Sequence, residues 1–257
     1  MSLPSSHSRR TFLSHVGKGV GLAALAYPSV AALLQNVTAA TKRIEQLPPE
    51  QVAMDEDFWF EIQRAFSVTR GITNLNNGGV SPSPKMVTEA FVRYTWEQED
   101  CTAYTMWSIL EPQSETVRAG LASVFGCDKE EIAITRNASE SLETLLMGMD
   151  LKSGDEVLTT TQDYGRMLTT LRQRELREGL KLTLIKVPIA PQNLDAITEQ
   201  FEKNITSKTK VILISHVINI TGQITPVKAV CELARSKGIE VIVDGAHSFA
   251  HFDFKQA

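Results

Sequence analysis

Asp244, Gly245, His247 and His251 follow directly on the apolar run Val241-Ile242-Val243. A short apolar run bounded by turn signals reads as a strand buried in a parallel sheet, and open α/β sheets bind ligands at the carboxyl ends of their strands. A carboxylate at that depth is poorly explained as core, because burial without a cationic or hydrogen-bonding partner costs several kcal/mol. The chemistry therefore turns on the partner of Asp244. One candidate is a metal ion held by Asp244, His247 and His251, whose spacings of three and four suit one helical face, with His216 completing the set. Such a site activates water for hydrolysis. Another class of reading, a secreted α/β binding domain without catalysis, needs no partner beyond hydrogen bonds.

Other segments bring polar groups to the same kind of position. Arg136-Asn137-Ala138-Ser139-Glu140 follows the strand candidate 132–135 and reads as a loop running into a helix. Asn137 or Ser139 can cap that helix, with Glu140 and Glu143 in its first turn. Taken alone this is a good cap; its free backbone N–H groups and helix dipole also suit a phosphate. The chain has no GxGxxG and no Walker motif, which disfavours a dinucleotide or nucleoside triphosphate. Gln162-Asp163-Tyr164-Gly165 places an aromatic ring after the strand candidate 155–160. Ser215-His216-Val217-Ile218-Asn219-Ile220-Thr221-Gly222 does the same for His216 and Asn219 after the strand candidate 210–216. Loops that converge in this way are harder to dismiss than any one of them.

The elements that must position these residues follow from periodicity. Strand candidates at 132–135, 155–160, 182–187, 210–216 and 239–243 alternate with helix candidates at 138–149, 165–178, 193–203 and 226–237. Strands separated by helices of that length imply βαβ crossovers. The predicted fold class is α/β, a three-layer αβα arrangement around a mostly parallel sheet. Ahead of it, Phe58, Trp59, Ile62 and Phe66 mark a helix at about 55–66, and Pro84 and Pro112 open helices at 84–98 and 112–125. The segment 74–84, Asn-Leu-Asn-Asn-Gly-Gly-Val-Ser-Pro-Ser-Pro, is a loop signal throughout. A formal charge of −4 gives no basic footprint for nucleic acid. Cys101, Cys127 and Cys231 lie far apart with no CxxC spacing, so neither a zinc ribbon nor a disulfide framework is indicated.

In this order along the chain, these motifs resemble the class V aminotransferase group of fold-type I pyridoxal-phosphate enzymes, which includes cysteine desulfurases and isopenicillin N epimerase-like proteins. The resemblance covers roughly residues 55–257. It implies pyridoxal 5'-phosphate as cofactor and an α-amino acid as small-molecule substrate. By resemblance, Ala138 and Ser139 hold the cofactor phosphate, Tyr164 stacks on the pyridine ring, and Asn219 contacts its phenolic oxygen. Asp244 pairs with the pyridinium nitrogen, and His247 lies near the phenolic oxygen as a possible catalytic group. Asn77 and Gly79, in the loop that borders the substrate site, bind substrate. His247 stands where desulfurases have Gln, and with the 76–84 loop this leans toward the epimerase-like branch. The implied chemistry is epimerase- or aminotransferase-type, and the implied assembly is a homodimer.

The resemblance also implies a Schiff-base lysine some twenty to thirty residues beyond the acid. Lys255 is the sole lysine after Asp244 and comes too early. The sequence thus reads as a fragment without that lysine and without the small C-terminal domain, inactive by itself. At the other end, Arg9-Arg10-Thr11-Phe12-Leu13 and the weakly apolar run after it resemble a twin-arginine export signal over residues 1–40, with small residues at 37–40 for cleavage. The expected destination is the periplasm or the exterior, with a cytoplasmic chain as the alternative and no stable membrane partner once the signal is removed. Residues 41–54, with Pro48-Pro49, read as a linker.

Overall fold

The structure is a computed structural model that describes residues 30–69, 71–75, 77–249 and 251. Most of the twin-arginine segment and Lys255 lie outside the described residues. The chain divides into two compact units, Met1–Met106 and Trp107–Ala257.

The first unit is helical. It contains α1 (Val30–Ile44), α2 (Pro49–Ala53), α3 (Glu56–Arg64) and α4 (Lys85–Asp100). The expected linker at 41–54 is therefore mostly helix. Lys42 and Arg43 close the last turn of α1, where cations favour the helix dipole, and Pro49 opens α2 at a position that needs no N–H donor. The small residues at 37–40 also fall inside α1. Asp55 joins the pieces: its carboxylate caps α3 by accepting from Phe58 N at 2.9 Å and pairs with Arg43 at 2.8 Å. The Phe58 N–H, with Arg43 second, holds the Asp55 carboxyl below the usual range. Lys85, at the start of α4, donates from its backbone N to Ala65 O and from Nζ to Arg64 O, which closes the 66–84 loop at its base. Among the described residues no helix is long and apolar enough to cross a membrane.

The second unit opens with α5 (Glu111–Phe125), which Gly126 ends in the left-handed conformation at φ 82°. It continues α6 (Ala138–Gly148), β1 (Glu156–Thr160), α7 (Gly165–Glu178), β2 (Lys181–Ile185), α8 (Asp195–Asn204), β3 (Thr209–Ser215), α9 (Val227–Ser236) and β4 (Glu240–Asp244). The strands form one parallel sheet in the order β2-β1-β3-β4. Residues 132–135 are extended but pair with no strand among the described residues, because they run directly from a 3-10 turn at Lys129–Glu131 into the Asn137 cap of α6. Strand propensity alone did not supply a partner edge.

Alternate side chains of each strand feed opposite faces. Leu158, Ile212 and Ile214 pack with Ile197 and Phe201 of α8 and Val230 and Ala234 of α9. Val157, Val211, Leu213 and Ile242 pack with Leu142 and Leu146 of α6 and Met167 and Leu171 of α7. This is the three-layer α/β sandwich expected from the sequence. The chain leaves β1 outward to β2 over one face, then returns past β1 to β3 and β4 over the other. Right-handed crossovers force that change of face, so the topological switch point lies between β1 and β3.

Candidate functional site

The carboxyl ends of β1, β3 and β4 meet around two buried acids. Asp244 ends β4 and pairs in register with Ser215 at the end of β3. It is 8% exposed. Its Oδ1 accepts from Ala246 N at 3.0 Å, and its backbone O accepts from His216 N at 2.9 Å. Among the described residues its carboxylate forms no ion pair. Burial pushes the Asp244 carboxyl above the usual range, and the Ala246 N–H opposes this; the neighbouring Asp163 raises it further and His247 lowers it. An acid held in this state favours any cation delivered to it.

Asp163, three residues beyond β1, is the better satisfied acid. Oδ2 accepts from Thr159 Oγ1, Thr160 N and Thr160 Oγ1 at 2.7–2.8 Å, and Oδ1 accepts from Ser215 N and Oγ at 2.7 Å. In the segment Gln162-Asp163-Tyr164-Gly165 the sequence points to Tyr164 as a ring-stacking residue and assigns no role to Asp163. The signal that would have found it is the hydroxyl pair Thr159-Thr160 just before a strand-end acid, a local arrangement that offers donors to a carboxylate.

Ala138, Ser139, Tyr164 and Asn219 stand on separate segments of the same unit. α6 runs back from the carboxyl edge to feed β1, and Asn137 is its N-cap, accepting from Glu140 N at 2.9 Å. That cap leaves the Ala138 and Ser139 N–H groups in the first turn, where orphan donors and the dipole favour an anion. The hydroxyls of Thr135 and Ser141 bond each other at 2.6 Å behind this turn. Glu140 turns away: its carboxylate accepts from Arg136 N at 2.8 Å and Nε at 3.2 Å, and these contacts hold its carboxyl below the usual range. Tyr164 is the N-cap residue of α7, exposed, and its hydroxyl accepts from Arg166 Nε at 3.2 Å. Asn219 is exposed in a turn of a small hairpin, which the bridge Val217↔Ile224 holds together and Gly222 closes at φ 70°. Gln223 ties this hairpin to the loop after β2 through Ala190 N and Pro188 O, and Gln162 reaches the same loop at Val187 O.

The structure brings Asp244 and His247 into one turn, and Ala138 and Ser139 into another. Asn77 and Gly79 belong to the first unit, where the Asn77 side chain accepts from Asn74 Nδ2 at 2.8 Å and donates to Asn74 O at 3.2 Å within a tight turn. The metal alternative finds no ligand set. Among the described residues no group of three or more His, Cys, Asp or Glu is placed to hold a metal ion, although Asp244, His247, His251 and His216 are all described. Physically, β4 ends at Asp244 and the chain enters turns, so spacings of three and four do not line one helical face. Burial pushes the Cys127 and Cys231 thiols up, away from the thiolate form.

Comparison with known proteins places this architecture. The chain is 28% identical over 198 residues to an isopenicillin N epimerase of Streptomyces clavuligerus, covering 76% of this chain and 49% of that protein. It is 27% identical over 186 residues to a probable cysteine desulfurase of Synechocystis, covering 69% and 43%. Among solved structures, a mutant of the lyase C-DES with glycine covalently linked to its PLP cofactor superposes with a TM-score of 0.65 at 22% identity, covering 75% of this chain and 51% of that one. An apo cysteine desulfurase from Thermococcus onnurineus superposes at 0.64 with 24% identity, covering 76% and 49%. The chain spans about half the length of the curated relatives it matches. The aminotransferase class-V family model matches residues 73–256. The chain belongs to that pyridoxal-phosphate-dependent family.

Proposed function

We propose that this chain forms the cofactor-binding part of a pyridoxal-phosphate-dependent enzyme that acts on an α-amino acid by epimerase- or aminotransferase-type chemistry. The observation that carries the reading is Asp244: a buried carboxylate at a strand end, with a single backbone donor among the described residues and a raised affinity for protons. That environment fits a protonated ring nitrogen, which supplies both the missing charge and a second hydrogen bond. When bound, pyridoxal phosphate supplies an electron-withdrawing ring that stabilises a carbanion at the substrate α-carbon. Asp244 keeps the ring nitrogen protonated. The Ala138 and Ser139 N–H groups and the Ser139 hydroxyl hold the phosphate, and Tyr164 covers a ring face. Asn219 and His247 address the phenolic oxygen, and Asn77 and Gly79 border the substrate. The raised Cys127 and Cys231 thiols favour this chemistry over one that needs a nucleophilic sulfur from these positions. Lys255 is assigned no role. We further propose twin-arginine export and a homodimer as the setting of this chemistry.

Titration of the chain with pyridoxal phosphate, followed by circular dichroism in the visible, tests the assignment. A saturable induced signal that inorganic phosphate displaces, and that Asp244→Asn weakens, is the expected result. A wild-type chain that gives no induced signal overturns it.

A further inference from the structure

The proposed function leaves the second buried acid unused. Asp163 is 6% exposed, and all its contacts are donors: three from the end of β1 on Oδ2 and two from Ser215 on Oδ1. Both oxygens act as acceptors only, the role of the ionised form. Such a group needs no ligand of its own. Its placement is informative because it joins β1 to β3 at the switch point, where the ends of neighbouring strands lead their loops apart. Ser215, its partner on β3, is the register partner of Asp244, and the next residue, His216, donates its N–H to Asp244 O. Thr225 Oγ1 donates to Ser215 O at 2.7 Å, so Ser215 is gripped through its N–H, hydroxyl and carbonyl.

We propose that Asp163 is a positioning residue for Asp244: it locks the ends of β1 and β3, fixes Asp244 through Ser215, and adds a second negative charge that makes the site select a cation. The cation's identity rests on the pyridoxal-phosphate reading; the coupling between the two acids does not. The charged groups acting on Asp244 are Asp163 from the β1–α7 loop, which disfavours its ionisation, and His247 from its own turn, which favours it. Just after β3, burial pushes the His216 imidazole down, toward its neutral form. On α6, which packs against β4, Glu140 is paired with Arg136.

A purely structural clamp and a charge-coupled one differ in what they do to Asp244. Carbon-13 carboxyl NMR of the whole chain without cofactor reads the Asp244 midpoint directly, and pyridoxal-phosphate titration reads affinity in parallel. Asp163→Asn is expected to lower the Asp244 midpoint by about one pH unit, since removing a neighbouring like charge eases ionisation. Affinity for the cofactor is expected to fall about tenfold, the effect of losing one charge-assisted contribution. Ser215→Ala keeps the charge of Asp163 and its backbone donor but removes a hydroxyl that shields that charge, so it is the milder variant, with a smaller shift of the Asp244 midpoint in the opposite direction. An Asp244 midpoint that stays in place in folded Asp163→Asn overturns the proposal. If that variant does not fold, an unmoved midpoint in Ser215→Ala does so instead. A wild-type chain that binds no pyridoxal phosphate defeats the cofactor reading alone, because the midpoint shift is still measured.

Discussion

The two ends of one sheet treat a buried carboxylate in opposite ways. At the amino edge, Glu156 begins β1 with no exposed surface. Lys181 Nζ lies 2.6 Å from its Oε2, Thr183 Oγ1 donates to the same oxygen at 2.9 Å, and Thr206 and Thr209 hydroxyls donate to Oε1 at 3.0 and 2.6 Å. Burial works to raise its carboxyl, but Lys181 and the three threonines outweigh it and bring it down to about 2. At the carboxyl edge, Asp244 has one backbone donor among the described residues, and burial wins. The same element of physics, desolvation of an acid, is cancelled by neighbours at one end and left standing at the other. An acid that is fully answered contributes to the fold. An acid left partly unanswered stores affinity for something that arrives later, which is how functional sites come to hold perturbed groups.

The sharpest way to break this contrast is to remove each acid in turn. Glu156→Ala strands three threonine hydroxyls and leaves Lys181 without its partner, so a loss of about 3 kcal/mol is expected in urea unfolding. Because Lys181 is more than half exposed, that figure sits at the lower end for a broken buried pair. Cofactor affinity is expected to stay within about twofold of wild type, since the change lies at the far edge of the sheet. Asp244→Asn should do the reverse. It removes the proposed ring-nitrogen partner, so pyridoxal-phosphate binding is expected to weaken by about ten- to a hundredfold, while the midpoint of urea unfolding holds or rises. If Glu156→Ala loses cofactor and Asp244→Asn loses the fold, the division of labour is wrong.

The pH dependence of stability sharpens the same contrast because the two acids carry opposite signs. Glu156 is held at about 2 against an ordinary 4.5, so in that window the unfolded chain binds more protons than the folded one. Its contribution is present above about 4.5 and is lost as the pH falls toward 2. Asp244 is raised above 3.8, so the folded chain keeps a proton that the unfolded chain has released. Its contribution is present below 3.8 and is lost as the pH rises through the folded value. Glu156→Gln should therefore flatten the acid limb of a stability–pH curve measured between pH 2 and 5, and Asp244→Asn should steepen the net rise of stability with pH just above pH 4.

Much of this architecture is legible in the sequence, and the rest is hidden for a definable reason. The runs at 155–160, 182–187, 210–216 and 239–243 mark β1 to β4 within two residues, because an apolar run flanked by glycines such as Gly154, Gly179 and Gly238 shows both strand and turn. Asp244 was visible because an acid after such a run is out of place. Glu156 was not, since its partners Thr183, Thr206 and Lys181 come from segments that only the fold brings together, and Asp163 was half legible: Thr159 and Thr160 stand beside it, but Ser215 reaches it from β3. The helical content of residues 30–53 was missed for the converse reason. A polar stretch with Pro48-Pro49 looks like a linker until Pro49 is seen at the first turn of a helix, where proline costs nothing.

The smallest expected effects belong to Tyr164, and they test whether the carboxyl edge spends its side chains on binding rather than folding. Tyr164 is 37% exposed and caps α7 with its backbone alone: its carbonyl accepts from Met167 N at 2.9 Å and Leu168 N at 3.2 Å, while no side-chain cap bond is made. Replacing the ring leaves those backbone bonds in place, so Tyr164→Ala should change stability by no more than about 0.5 kcal/mol, the range of surface substitutions. If the ring covers the cofactor, the same variant lowers pyridoxal-phosphate affinity by about three- to tenfold, the order of an aromatic contact. Tyr164→Phe keeps the ring and loses only the hydroxyl that accepts from Arg166 at 3.2 Å, so its affinity should match wild type within about twofold. A phenylalanine variant as weak as the alanine one would move the role from the ring face to the hydroxyl and its arginine, and the edge would then be reading charge at Tyr164 as it does at Asp244.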